Sequence, residues 1–322
     1  MKRLKLLAAC ACMVLSAPGV HAQTWPTKPI RFISPFAPGG GADITSRVIA
    51  QKLHDALGQP VLVDNRGGAG GMIGVDLGAK APPDGYTLVL GTIGPIAINP
   101  SLYAKMPYDP IKDLVPVTLA ADALNVLVVH PALPVKNVKE LIALGKARPN
   151  ELNFASSGPG ATDHLAGELF NMLTGTKMVH VPYKGGAPAM LDLMSGNVQI
   201  IFSTVSTAIG QIKGGKIRAL GMTGIKRFVL MPELPTIAEA GVPQFAVNNW
   251  YGVFVPAGTP KEIVARLNTE IVKVLNLPDA KQRLLESGIE ATPSTPEQFA
   301  TYIQAETKKW AKVVKDANIK VE

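Results

Sequence analysis

Cysteine is almost absent from this 322-residue sequence. Its two cysteines, Cys10 and Cys12, lie in an apolar segment that follows three basic residues at the N-terminus. A run of about a dozen apolar residues is too short to span a membrane, and together with the small-residue site ending at Ala22 it is typical of a secretory signal peptide. We expect residues 1–22 to be removed after Ala22. The mature chain would then have no thiol, which excludes disulfides and thiolate metal sites.

Clustered positive charge and aromatic residues are also scarce. The formal net charge is +8, aromatic residues make up 6% of the chain, and no four consecutive residues are basic. Nucleic-acid-binding proteins concentrate Lys and Arg on one face, so we expect no nucleic-acid partner. The hydrophobic fraction of 47% is typical of a folded globular protein, and the length predicts two lobes.

The sequence lacks the short motifs of several enzyme classes. It contains neither an HExxH metal-binding motif nor a GxSxG nucleophile motif. After the predicted signal peptide its histidines, His54, His130, His164 and His180, are widely spaced. Ser157 and His164 could form a nucleophile and base, but such a pair also needs a third group to orient the base. We therefore expect no metal or cofactor, and we favour a ligand-positioning or structural role for His164.

Short β-branched segments alternate with longer segments of helical periodicity after Trp25, which predicts an α/β fold with mostly parallel sheets flanked by helices. No low-complexity linker separates two contiguous domains. Two lobes joined by more than one crossing fit this pattern, with lobe 1 formed by residues 23–123 plus 247–322 and lobe 2 by residues 124–246. The predicted strands are 30–34, 61–64, 86–91, 125–130, 152–157, 178–183, 198–202, 217–222 and 251–256.

The segment SPFAPGGGADITSR, residues 34–47, runs from a predicted strand through three glycines into a predicted helix. Unpaired N–H groups and the helix dipole at such a turn attract an anion. The glycine spacing fits neither a phosphate loop nor a dinucleotide fingerprint, and the absence of lysine favours a carboxylate. Asp43 has two alternatives here, a helix cap or a group that orients a ligand hydroxyl or ammonium. The predicted contacts are Pro38, Gly39, Gly40, Gly41 and Asp43.

A second turn of the same kind occurs in NFASSGPGATDHLAGELF, residues 153–170, where hydroxyl groups accompany the glycines. A third glycine turn follows Thr92. In open α/β sheets, ligands bind beyond the carboxyl ends of the strands, where all three turns would lie. The alternative is that these segments are only tight connections between strands and helices. The predicted contacts in the second turn are Ser156, Ser157, Gly158, Thr162 and His164.

Several longer motifs together carry a family resemblance. WPTKPIRFISPFAPGGGAD, LGQPVLVDNRGGAGGMIG, NPSLYAKMPYDPIKDLVPV, HVPYKGGAPAMLDLMSGNV and LPTIAEAGVP resemble the Bug family of extracytoplasmic solute-binding proteins of tripartite tricarboxylate transporters. The resemblance extends over essentially all of the mature chain. It implies a two-lobed periplasmic-binding-protein fold, type II-like, with a ligand cleft between the lobes. It also implies a periplasmic receptor, not an enzyme, that needs no cofactor.

The resemblance further implies the ligand and the partners. A small carboxylic acid would be bound by residues 38–43 and 156–164 and delivered to inner-membrane permease subunits, and we expect the receptor to be a monomer. Where relatives often have a hydroxyl residue, this chain has Ala161, so that hydroxyl is either missing or supplied by Thr162. Two alternatives stay open, an exported serine hydrolase using Ser157 and His164 and a periplasmic sensor partner. Further expected lining residues are Thr92, Tyr183, Gly185, Ser203, Thr204 and Thr207.

Overall fold

The computed structural model describes residues 25–316. The predicted signal peptide, with its cleavage site after Ala22, lies outside the described residues. Within the described range, no helix is both long enough and apolar enough to cross a membrane.

The chain forms its secondary structure in three successive stretches. The first contains β1 (Ile30–Ser34), α1 (Gly41–Leu57), β2 (Val61–Asn65), α2 (Met72–Ala79), β3 (Thr87–Thr92), α3 (Asn99–Leu102) and β4 (Leu114–Ala123). The second contains β5 (Asn125–Val129), α4 (Val138–Ala147), β6 (Asn153–Ser156), α5 (Thr162–Thr174), β7 (Val179–Pro182), α6 (Gly186–Ser195), β8 (Ile200–Thr204), α7 (Val205–Lys213) and β9 (Arg218–Met222). The third contains β10 (Asn249–Pro256), α8 (Lys261–Asn276), α9 (Pro278–Glu286), β11 (Ile289–Ala291) and α10 (Pro296–Asp316).

Two sheets divide these strands. The first has the order β11-β4-β10-β3-β1-β2 and the second the order β7-β6-β8-β5-β9. The chain therefore leaves the first sheet between Ala123 and Asn125 and rejoins it at Asn249. We propose that the lobes divide at the predicted boundaries, 123/124 and 246/247, because the strands before and after each of these places belong to different sheets.

Both sheets are mixed, whereas the sequence pattern predicted mostly parallel sheets. Parallel pairing joins β1 with β2 and β3, and β6 with β7 and β8. The antiparallel pairs all include β4, β5 or β10, the strands next to the two crossings. A βαβ connection makes neighbouring strands parallel. A strand that enters a sheet from the other lobe has no such connection to its neighbours, so it can pair with them in the antiparallel direction.

Two strands, β4 and β11, were not predicted. The sequence of β4, LVPVTLAADA, contains a proline and several alanines, which have low β propensity. Pairing with β10 from Leu114↔Pro256 to Ala123↔Asn249 overrides this preference. Pro116 is tolerated because it faces Phe254 at an irregularity in the register, a position at which a strand can lose a ladder hydrogen bond. Strand β11 has only three residues and pairs with β4.

Each sheet packs helices on both faces. On the first sheet, α1 and α8 cover one face through residues such as Leu53 and Leu267, and α10 covers the other. There Trp250 is completely buried, and its ring is close to perpendicular to that of Phe299. On the second sheet, α4 and α5 cover one face and α6 and α7 the other. Residues at or just after the carboxyl ends of β1, β3, β6 and β8 lie between the lobes.

Gly252 is the point of closest approach between β10 and α10. A methyl group at this position would lie 2.0 Å from the ring of Phe299. We expect Gly252→Ala to lower the free energy of unfolding by about 1–3 kcal/mol through overpacking, measured by urea denaturation. Gly210→Ala is the control, because a methyl group there meets nothing within 4 Å and the residue lies in α7. A Gly252→Ala variant as stable as the unmodified protein would contradict this packing.

Candidate functional site

A cleft between the two sheets brings together residues from both lobes. It is bordered by residues at or just after the carboxyl ends of β1, β3, β6 and β8, together with the start of β5 and of β10. The lining residues are Phe36, Ala37, Gly40, Gly41, Ala42, Thr92, Asn125, Ser157, Ala161, Thr162, Asp163, Gly186, Ser203, Thr204, Thr207, Asn249 and Tyr251.

Four helices begin at this cleft. Helix α1 begins at Gly41, α5 at Thr162, α6 at Gly186 and α7 at Val205, and residues at or just before each start line the cleft. The first N–H groups of a helix have no partner inside the helix, and they carry the positive end of its dipole. The cleft is therefore a site of positive potential that is built from backbone.

No cationic side chain contributes to this potential. Among the lining residues in the described part of the chain, none is Lys, Arg or His. The remaining polarity comes from hydroxyl and amide groups, among them those of Thr92, Thr162, Asn249 and Tyr251, and from the carboxylate of Asp163. Such a surface can bind an anion through hydrogen bonds without a salt bridge, which suits a carboxylate better than a phosphate.

Eight of the predicted site residues line the cleft. Gly40 and Gly41 belong to the first turn, Ser157 and Thr162 to the second, and Thr92 to the end of β3. The other three are Ser203 and Thr204 at the end of β8 and Thr207 in α7. The hydroxyl of Ser203 donates to the carbonyl oxygen of Thr204 at 3.1 Å.

Asp43 does not line the cleft, because its carboxylate is engaged elsewhere. It accepts hydrogen bonds of 3.0 Å from the backbone N–H of Gly39, from Arg47 and from Asn65. Burial raises the pKa of Asp43, but these hydrogen bonds outweigh that effect, and the pKa is lowered. These contacts favour the structural alternative, in which Asp43 ties the glycine turn to α1 and β2.

His164 also lies behind the cleft surface. Its Nδ1 accepts the backbone N–H of Gly160 at 3.1 Å, and its ring stacks on that of His180 at 4.0 Å between centroids. Burial, followed by the proximity of His180, lowers the pKa of His164 to about 3. A neutral imidazole that accepts from the backbone fixes the conformation of the second turn.

The catalytic pair weighed in the sequence does not form. The hydroxyl of Ser157 donates to Asp163 at 2.6 Å, and Nε2 of His164 faces Glu168 at 3.7 Å. Ser157 therefore has no histidine base positioned to remove its proton, and an exported serine hydrolase is not supported.

The other predicted residues support the turns and do not form the cleft surface. Pro38 and Gly39 are exposed. Ser156 hydrogen-bonds His180, Gly158 has a positive φ of 131°, and Gly185, with a φ of 146°, precedes α6. The Tyr183 hydroxyl donates to Asp192 at 2.5 Å, and burial followed by this contact raises the pKa of Tyr183 to about 12.

Sequence reasoning missed the lining residues Asn125, Asp163, Asn249 and Tyr251. Asn125 and Asn249 each begin the first strand after a lobe crossing, where no turn motif marks them. Tyr251 comes from β10, which enters the cleft only because it pairs with β3. Asp163 lies inside the second turn and could have been recognised as a charged residue among hydroxyl groups.

A sequence model described as the tripartite tricarboxylate transporter family receptor, TctC, matches residues 45–319. The chain belongs to this family. Protein BugT of Bordetella pertussis is 39% identical to this TctC family protein, over the whole length of both chains. The resemblance to the Bug family is thereby confirmed, and the family consists of solute-binding receptors rather than enzymes.

Solved structures extend the comparison to the fold. Rpa4515 of R. palustris, solved with adipate, is 40% identical to this TctC family protein, covers 92% of it and 99% of its own chain, and gives a TM-score of 0.89. MatC (Rpa3494) of Rhodopseudomonas palustris, solved with bound malate, is 32% identical, covers 90% and 100% of the two chains, and gives a TM-score of 0.87. These likenesses confirm the two-lobed periplasmic-binding-protein fold.

Burial of neutral His164 links the stability of this TctC family protein to pH. In the unfolded chain His164 has the ordinary pKa of 6.5 and gains a proton below that pH. In the folded protein its pKa is lowered to about 3, so it stays neutral until the pH falls to about 3. The contribution of His164 to the free energy of unfolding is therefore fully present above pH 6.5 and is lost as the pH falls below 6.5. We expect the unmodified protein to lose about 2 kcal/mol more stability than His164→Gln between pH 6.5 and about pH 5. Urea denaturation at both values measures this loss, and equal losses would show that His164 is solvated.

Proposed function

We propose that this protein is a periplasmic receptor that binds a small carboxylic acid between its lobes and delivers it to the inner-membrane subunits of a tripartite tricarboxylate transporter. One observation supports this most directly. Four helix N-termini converge on an interlobe cleft whose lining, within the described residues, contains no cationic side chain. Malate and adipate, found in two solved relatives, are both carboxylic acids.

Backbone N–H groups and hydroxyls would hold the ligand carboxylate. We assign this role to Gly40 and Gly41 at the start of α1, and to Ser157 and Thr162 at the start of α5. The rest of the ligand would contact the side chains of Thr92, Ser203, Thr204 and Thr207. The remaining predicted residues would act indirectly: Asp43, His164 and Tyr183 hold the turns in place, and Gly158 and Gly185 shape them.

The periplasmic location rests on the predicted signal peptide and on the periplasmic solved relatives. Capture and release would occur by closure and opening of the lobes about the two crossings, with ligand favouring the closed state. A sensor role, in which the ligand-bound receptor contacts a membrane protein, shares the binding step and stays open.

Binding of a carboxylic acid should stabilise the folded protein. A ligand present at about 100 times its dissociation constant adds roughly 2.7 kcal/mol to the free energy of unfolding. We therefore expect a clear rise in melting temperature with at least one class in a broad panel of mono-, di- and tricarboxylic acids. Simple alcohols and sugars of similar size are the controls. No response to any acid would contradict the proposed function.

Closure depends on close backbone contacts between the lobes. A methyl group at Gly94 would lie 2.7 Å from the carbonyl oxygen of Gly160, and one at Gly70 would lie 2.1 Å from that of Pro159. Gly70 also has a positive φ of 61°, whereas no positive φ occurs at Gly94. A side chain at Gly94 would therefore obstruct the closed state, and the atoms that it would meet all belong to the second lobe.

We expect Gly94→Ala to weaken binding of the acid identified by the melting screen by roughly tenfold, because about 1.4 kcal/mol of closure energy would be lost. Isothermal titration calorimetry measures the affinity, and small-angle scattering with ligand should give a larger radius of gyration for the variant. Gly210→Ala serves again as the control, since its methyl group would face open space. Unchanged affinity in Gly94→Ala would mean that binding does not need this contact.

A further inference from the structure

Asp163 is the one acidic residue among the lining residues that the structure describes. It is 6% exposed. Its Oδ2 accepts hydrogen bonds from the backbone N–H of Ser157 at 2.7 Å and from the Ser157 hydroxyl at 2.6 Å. Its Oδ1 accepts the backbone N–H of His164 at 3.0 Å. The backbone N–H of Asp163 itself also interacts with this carboxylate, so the group is held in place among the residues that line the cleft.

The charge of Asp163 has no cationic partner at the cleft. No Lys, Arg or His contributes to the described lining, and the neighbouring His164 is neutral. A second ligand carboxylate placed next to Asp163 would meet a buried charge of the same sign, which is unfavourable without a compensating cation. A hydroxyl or ammonium in the same place would donate a hydrogen bond to that charge.

Asn125 gives independent evidence that the cleft needs a donor. It is 2% exposed, lines the cleft, and its Oδ1 has no hydrogen-bond partner. Its Nδ2 donates to the carbonyl oxygen of Phe202 at 3.4 Å, which leaves the oxygen as the free acceptor. A buried acceptor without a partner costs free energy until a ligand or water satisfies it.

We propose that Asp163 is a specificity-determining residue that selects a carboxylate carrying a hydrogen-bond donor, a hydroxyl or an ammonium group, over a plain dicarboxylate. This inference rests on the proposed receptor function and names the ligand class for the same cleft. The carboxylate of the ligand binds at the helix N-termini, and its donor group binds Asp163, with Asn125 as a further acceptor. Adipate has no such donor, whereas malate has a hydroxyl.

A structural role for Asp163 is the competing explanation, because its hydrogen bonds tie Ser157 to the start of α5. That role affects the shape of the turn for every ligand alike. A selective role changes the ratio of affinities between two ligands that differ only in the donor. The ratio therefore separates the two explanations.

The experiment uses three acids with one four-carbon skeleton: L-malate with a hydroxyl, L-aspartate with an ammonium, and succinate with neither. Affinities are measured by isothermal titration calorimetry at about pH 8, where Asp163, with a pKa raised by burial to about 6, is ionised. The unmodified protein should bind malate or aspartate at least roughly tenfold more tightly than succinate, as expected for a hydrogen bond to a charged group. If the unmodified protein binds succinate as tightly as malate and aspartate, that result alone would overturn the proposal.

Asp163→Asn removes the charge and keeps the shape and an acceptor for Ser157. We expect it to reduce the preference for the donor-bearing acid by roughly tenfold, mainly through weaker binding of that acid. Asp43→Asn is the matched control, because this acid lies in the other turn and outside the cleft lining. It should leave the ratio unchanged.

An unchanged ratio in Asp163→Asn, with binding intact, would overturn the selective role and leave the receptor function standing. Loss of affinity for all three acids by the same factor in that variant would also overturn it, in favour of the structural explanation. Failure of the unmodified protein to bind any acid in the broad panel would instead contradict the proposed function, and this inference with it.

Discussion

The convergence of unpaired helix N–H groups, which favour a negative charge, is the constraint around which this cleft is organised. Four helices begin where the two sheets face each other, and no described lining residue adds a cation. A site made of backbone donors needs accurate placement more than particular side chains. This explains why buried groups such as Asp43 and His164, which do not reach the cleft, are bonded so completely to the turns that do.

Glycines of the first lobe also allow its backbone to make close contact with the second lobe. Gly70 and Gly94 approach carbonyl oxygens of the second lobe so closely that a methyl group could not be placed there. Small residues in the first lobe therefore allow both tight turns of the backbone and close contact with the second lobe.

The two acids in the glycine turns have different surroundings. The charge of Asp43 is balanced by Arg47, and its pKa falls, whereas no cationic residue of the described cleft lining accompanies Asp163, and burial raises its pKa to about 6. Residue type and position in the turn are similar in both cases. What distinguishes them is that Asp163 lines the cleft between the lobes, whereas Asp43 does not.

The sequence by itself determined the α/β class, nine of the strands, and the glycine turns that border the cleft, because these depend on local periodicity, glycine and capping chemistry. The family motifs added the two-lobed fold. Only the tertiary structure decided that Asn125, Asn249 and Tyr251 join the cleft, because they follow lobe crossings or belong to a strand paired over a long range. It also decided that Asp163 faces the cleft and Asp43 does not, since orientation toward the other lobe is a property of packing that no local pattern contains.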